Sequence, residues 1–222
     1  MIVAERKPFD EIIAKLEGYS KIIVAGCATC VAECRAGGQR EVEILASQLR
    51  IAFKAAGKVV EVGECCIERQ CEPEMVEEYA ELLAGYEAIL SIACGVGVQD
   101  LAARFTDISV YPGLNTTFMG THSSPGLWEE RCAGCGNCLL DLTGGICPIA
   151  RCSKSLLNGP CGGTNDGKCE VSDDIPCAWA EIVERLRAKG QLANLAKIIP
   201  PKDWATARDG GPRRLTREDL AE

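Results

Sequence analysis

Between Trp128 and Trp179 the chain places eight cysteines and repeated glycines, with few apolar side chains to build an ordinary core. A segment of that kind must be organised by something other than hydrophobic burial, and bound metal is the usual agent. The whole chain carries fifteen cysteines in 222 residues, yet Met1–Lys15 mixes Glu5, Arg6, Lys7, Asp10 and Glu11 among its apolar residues and shows no secretory pattern. The expectation is a cytoplasmic protein, in whose reducing surroundings clustered cysteines are ligands or catalysts rather than bridges.

Spacing narrows the chemistry. Cys132-Ala-Gly-Cys135-Gly-Asn-Cys138 is the Cys-x2-Cys-x2-Cys run found in bacterial ferredoxins, and Cys147-Pro148 supplies a following cysteine with the proline that often accompanies a fourth ligand. Two-residue gaps let consecutive thiolates wrap one face of a cuboidal cluster. Gly134 and Gly136 permit the tight turns and expose amide N–H groups to the sulfurs. With Cys152, Cys161, Cys169 and Cys177 the set reaches eight, the number that two 4Fe-4S clusters require. Eight residues rather than three separate Cys138 from Cys147, so the spacing leaves open which cysteines share a cluster. Two four-cysteine zinc sites would also staple a core-poor segment, but zinc ribbons pair their ligands two and two, and three successive short gaps suit a cubane better.

No apolar stretch approaches the ~20 residues needed to span a bilayer. A formal charge of -8, to which cluster thiolates would add, opposes a polyanion, so neither nucleic acid nor a membrane span is expected.

The first 114 residues alternate helix-like and strand-like segments. Phe9, Ile12, Ile13 and Leu16 follow helical spacing, and Lys21 to Gly26 is a short apolar run. Gln39 to Ala56 forms an amphipathic helix stopped by Gly57, with Lys58 to Val62 as the next strand. Glu72-Pro73-Glu74 opens a helix whose inner face holds Met75, Val76, Tyr79, Leu82 and Leu83. Glu87 to Ala93 is a third strand, Val98 to Phe105 a helix, and Ile108 to Tyr111 a fourth strand. Strands separated by such helices predict an α/β fold, a small doubly wound parallel sheet of about four strands, followed by a cysteine-rich region organised by clusters. The expected division is 1–114, 115–199 and a tail over 200–222. That tail carries prolines, Trp204, Lys202, Arg208, Arg213, Arg214 and Arg217, and reads as an extended arm that docks on a partner or as a disordered terminus.

The remaining seven cysteines lie in the α/β part. Cys27 and Cys30 follow the first strand, Cys65, Cys66 and Cys71 the second, and Cys94 the third. In an open parallel sheet these connections all emerge at the carboxyl edge, where ligands bind. Cys27, Cys30, Cys71 and Cys94 are therefore expected to form a third metal site, with Cys34, Cys65 and Cys66 as substitutes, and to hold 4Fe-4S rather than zinc. The plainer reading is a set of small buried thiols. Cys27-x-x-Cys30 also has thioredoxin-like placement, which would make the chain a dithiol enzyme.

The string from Thr143 to Gly163, TGGICPIARCSKSLLNGPCGG, strongly resembles the small iron–sulfur subunit of bacterial methylenetetrahydrofolate reductase, also found as a C-terminal module of some reductases. Cys27-Ala-Thr-Cys30, Glu68-Arg-Gln-Cys71-Glu72 and Ala93-Cys94-Gly-Val-Gly97 look like the same family, over roughly residues 20 to 180. The resemblance implies an electron-transfer subunit beside an FMN-containing TIM-barrel reductase that converts 5,10-methylene- to 5-methyl-tetrahydrofolate in the one-carbon (Wood-Ljungdahl) metabolism of anaerobic bacteria. The electron donor it implies is ferredoxin or a pyridine-nucleotide-dependent complex. A zinc-binding scaffold without redox activity is the rival reading.

Gly95-x-Gly97 follows a strand but lacks the third glycine of a dinucleotide fingerprint. His122 is the only histidine, which excludes a histidine-rich metal site, and reads as an ordinary loop residue. Arg151, Lys154 and Asn158 sit among the C-terminal cysteines, where they serve solubility or donate charge and hydrogen bonds to a cluster.

Overall fold

The computed structural model describes residues 1–207, 210–215, 217 and 219; Arg208 of the tail lies outside the described residues. The chain divides into two compact units, Met1–Trp128 and Glu129–Glu222.

The first unit opens with β1 (Ile2–Arg6) and α1 (Phe9–Lys15), followed by β2 (Lys21–Cys27), the short α2 (Cys30–Glu33) and α3 (Gln39–Ala55). Next come β3 (Glu61–Ile67), α4 (Pro73–Glu77), α5 (Ala80–Ala84), β4 (Ala88–Ile92), α6 (Gly95–Arg104) and β5 (Ser109–Pro112). Strands β2 to β5 form the expected parallel sheet in the order β3-β2-β4-β5. Strand order reverses between β2 and β4, which makes the carboxyl ends of those two strands the switch point.

Alternation along β2 sorts the core. Ile22 and Val24 join Val42, Leu45, Leu49 and Phe53 of α3 on one face, whereas Ile23 and Ala25 join Val76, Leu83 and Leu101 of α4 to α6 on the other. At the start of α3 the Glu41 carboxylate accepts the Gly38 N–H at 3.0 Å, half of a capping box that glycine cannot complete.

Three elements differ from the sequence reading. The second strand runs Glu61–Ile67 rather than 58–62: Val59 is 96 % exposed and unpaired, and the paired stretch holds Glu64-Cys65-Cys66, which has no apolar alternation to betray it. The helix after Pro73 breaks into α4 and α5, leaving Leu82 exposed. Helix α6 begins at Gly95, because the poor intrinsic propensity of two glycines hides its first turn.

Strands β6 (Leu114–Ser124) and β7 (Leu127–Cys132) complete a separate sheet in the order β1-β6-β7. The chain's first strand pairs antiparallel with β6, Ile2 opposite Met119 and Arg6 opposite Leu114. His122 on β6 packs its ring 5.6 Å from that of Trp128.

A buried polar clamp closes the switch point. Gln70, fully buried in the loop after β3, donates from Nε2 to the carbonyls of Ala25 (2.9 Å) and Gly26 (2.8 Å), and its Oε1 accepts the Ser91 hydroxyl (2.6 Å). It thereby ties the ends of β2 and β4 to the β3 loop. Helix α6 approaches this clamp so closely that a Cβ on Gly97 would stand 2.7 Å from the Gln70 Cβ. Gly97 thus serves close packing, and the Gly95 N–H is taken by the Thr116 hydroxyl at 2.8 Å.

In the second unit, α7 (Pro148–Arg151), a hairpin of β8 (Lys168–Cys169) and β9 (Ser172–Pro176), α8 (Ala178–Ala188) and two 3-10 turns (Leu192–Ala196 and Trp204–Thr206) are joined by long loops. Its core is small: Ile146, Trp179, Ile182 and Leu186, flanked by Cys152, Leu156, Cys177 and Leu195. The Trp179 indole N–H donates to the Leu156 carbonyl at 3.0 Å, and Gly159 lies flat on the ring where a Cβ would be 2.4 Å from it.

Replacing Gln70 with alanine strands the Ser91 hydroxyl and two strand-end carbonyls in the interior. The expected loss is about 3 kcal/mol of first-unit stability, read by urea unfolding, with Ser91→Ala costing less because Gln70 keeps two of its bonds.

Candidate metal centre

The eight cysteines of the second unit separate into two groups of four, in chain order. Cys132, Cys135, Cys138 and Cys147 line one cavity of about 200 Å³, together with Gly134, Gly136, Asn137, Leu139 and Pro148. Cys152, Cys161, Cys169 and Cys177 line a second, of about 20 Å³, with Lys154, Glu170 and Trp179 among its walls. The division that spacing left open is therefore sequential in space: the Cys147-Pro148 cysteine stands with the three before it.

Local structure explains how each group is presented. Gly134 (φ +63°) and Gly136 (φ +76°) adopt left-handed turns closed to most L-residues, which bends the first loop around its cavity. The Gly134 N–H points at the Cys132 sulfur at 3.4 Å, as expected from the sequence, and the Gly163 N–H points at Cys161 over the same distance. Cys147 and Cys177 sit at the N-caps of α7 and α8. The β8–β9 hairpin carries Cys169, whose thiol is acidified by the Val171 backbone N–H first, then by the Ser153 hydroxyl, with Lys154 adding its charge. Sulfurs that receive N–H donors are set up to be thiolates, the form in which cysteine binds metal.

The donor sets fit iron–sulfur chemistry, with one difference between them. Among the described residues no three His, Cys, Asp or Glu side chains stand close enough to hold a single metal ion. A cubane carries its thiolates on four different irons around an eight-atom core, so its ligands stand apart. The first cavity has room for such a core. The second is much tighter around its four thiols.

The polar residues between the cysteines are engaged with protein. Arg151 pairs with Glu181 at 3.4 Å, Lys154 pairs with Glu170, and Asn158 holds the Ile199 peptide from both sides, its Nδ2 donating to the carbonyl and its Oδ1 accepting the N–H, each at 2.8 Å. Sequence reasoning missed a further contributor, the segment just past the prolines. Thr206 donates its hydroxyl to the Cys135 carbonyl at 2.9 Å, Lys202 donates to the Asn137 carbonyl at 3.0 Å, and the Thr206 backbone packs where a Cβ on Gly136 would be 2.2 Å away. Residues 202–206 thus strap the loop that carries Cys135 and Cys138. A basic tail has no periodicity that would have announced this.

In the first unit, the thiols after β2, β3 and β4 gather at the carboxyl edge. Cys27 acts electrostatically on both Cys66 and Cys71, and Cys94 acts on Cys71. Cys30 has Cys34 as its thiol neighbour, one helical turn on. Cys34 is buried, within 3.8 Å of the Ala4 carbonyl and 3.6 Å of that of Val31. Cys65 faces the opposite core, where burial pushes its thiol up to about 12. A cavity of about 450 Å³ in this unit is lined by Arg6, Arg35, Arg40 and Cys34 and takes in none of the four gathered thiols.

A parallel α/β unit followed by a glycine-rich module that brings eight cysteines to two cavities defines the class: an α/β protein with a cysteine-rich C-terminal module. Residues 111–205 match the family model described as methylene-tetrahydrofolate reductase C terminal, the family that the Thr143–Gly163 string resembles. The match takes in all eight cysteines of the module. No curated protein and no solved structure shows a match to this chain. No helix among the described residues is long and apolar enough to cross a membrane.

Gly136→Ala forces a Cβ onto the Thr206 carbonyl and into a left-handed turn. The strap should detach, seen as faster proteolysis after Lys202 and a solvent-shifted Trp204 fluorescence, at a cost of about 1–3 kcal/mol.

Proposed function

We propose that this chain is the electron-transfer subunit of a methylenetetrahydrofolate reductase complex. Cys132, Cys135, Cys138 and Cys147 hold one 4Fe-4S cluster, and Cys152, Cys161, Cys169 and Cys177 hold the other. The observation that carries the reading is the sorting of eight cysteines into two groups of four, within a segment that matches this reductase family. Bound 4Fe-4S clusters supply reversible one-electron transfer.

The chain's own residues do the rest. The amide N–H groups of Gly134 and Gly163 donate to ligand sulfurs, which favours the more electron-rich state and so raises the potential. Lys202 and Thr206 hold the first loop in register through its backbone carbonyls. Trp179 and α8 anchor Cys177 and Cys152 to the small core.

In this reading, hydride chemistry at folate belongs to a partner. An FMN-containing TIM-barrel subunit suits that role, because flavin joins one-electron supply to two-electron hydride transfer. Ferredoxin or a pyridine-nucleotide-dependent complex would be the donor, and a cytoplasmic setting keeps the thiols reduced.

Anaerobically prepared protein should be brown, contain about eight irons and eight sulfides in this module, and bleach with dithionite (four irons per cubane). Removing iron should open residues 129–199 to protease while the first unit survives, because the module's buried core is so small. A colourless chain with stoichiometric zinc and no iron would replace this reading with the zinc scaffold.

A further inference from the structure

We propose that Cys27, Cys66, Cys71 and Cys94 form a third four-thiolate site, in the first unit, for an iron–sulfur cluster. The proposal does not depend on what the second unit holds.

Four segments of chain meet there. Cys27 is the last residue of β2, with its sulfur 3.7 Å from both the Thr29 hydroxyl and the Glu68 carbonyl, so it already lies against the loop that carries Cys71. Cys66 is paired in register with Gly26 on the neighbouring strand, and a Cβ on Gly26 would stand 3.1 Å from the Cys66 sulfur. The missing side chain at Gly26 is what lets that sulfur lie beside the end of β2. Cys71 directly follows Gln70, whose three hydrogen bonds fix the loop to the ends of β2 and β4. Cys94 caps α6, which reaches the same loop only because Gly97 has no side chain. Each thiol is thus placed by its own device, and the four stand at the carboxyl edge of a parallel sheet, where ligands bind.

The other three thiols of the unit have other neighbours. Cys65 points into the opposite core, Cys34 is buried beside the carbonyls of Ala4 and Val31, and Cys30 stands next to Cys34. The structure therefore selects Cys66 over Cys30 as the fourth member. That choice runs against the Cys27-x-x-Cys30 spacing, which taken alone suggests a dithiol. Four soft, convergent sulfurs and no histidine match thiolate-selective metals rather than hard cations.

The test counts iron, sulfide and zinc per chain in the full-length protein purified anaerobically, for wild type and single variants. Cys66→Ser and Cys71→Ser should each lose one cluster's worth of iron, about four irons (one cubane), whereas Cys30→Ser keeps the wild-type count. Cys71 is exposed, so its serine variant tests the site even where Cys66→Ser fails to fold. Unchanged metal in Cys71→Ser, or loss in Cys30→Ser instead, overturns the assignment. Cys135→Ser serves as the independent arm. Iron lost there but not in Cys71→Ser leaves the electron-transfer reading standing without this site, and the reverse leaves this site standing without that reading.

Discussion

The shortage of apolar side chains in the second unit governs most of what this molecule does there. One small cluster of buried side chains, Ile146, Trp179, Ile182 and Leu186, centred on helix α8, is the hydrophobic core of a segment of eight cysteines and many turns. Burial of that extent contributes roughly 1.5–3 kcal/mol per side chain, well short of the cost of ordering the long loops around it. The loops are held instead by specific polar contacts. Asn158 grips the Ile199 peptide, Lys154 pairs with Glu170, and Thr206 and Lys202 strap the Cys132–Cys138 loop. Such contacts place sulfurs without burying much surface.

The first unit solves the opposite problem. Its core is ample, split over the two faces of a parallel sheet, and the polar chemistry is confined to the carboxyl edge. There a buried glutamine does what apolar packing cannot: it satisfies two strand-end carbonyls and one hydroxyl while setting the height of the loop between them. Three glycines then bring neighbouring backbones closer than any side chain allows. Gly37 lies under the Ile92 carbonyl, Gly26 beside the Cys66 sulfur, and Gly97 against Gln70.

Much of this was legible in the sequence. The α/β alternation, the four parallel strands and the long face of α3 follow from periodicities of 2 and 3.6 that depend only on local geometry. The Cys132–Cys138 run with its glycines announced a thiolate loop, and the Gly134 N–H does point at the Cys132 sulfur. The second strand was misplaced because Glu64-Cys65-Cys66 carries no alternation. The break at Glu78-Tyr79 was invisible because Leu82 looks like a core residue until its neighbours are known.

What the sequence determined by itself is the inventory and its local presentation: eight thiols in a core-poor module, seven more after the strands of a doubly wound sheet, and turns that only glycine can make. Tertiary structure alone decided which thiols line one cavity. The partition of the eight into 132–147 and 152–177 and the return of residues 202–206 onto Gly136 depend on contacts between segments distant in sequence. Local spacing constrains neighbours along the chain. Only the pleat of a strand and the closure of long loops determine neighbours in space.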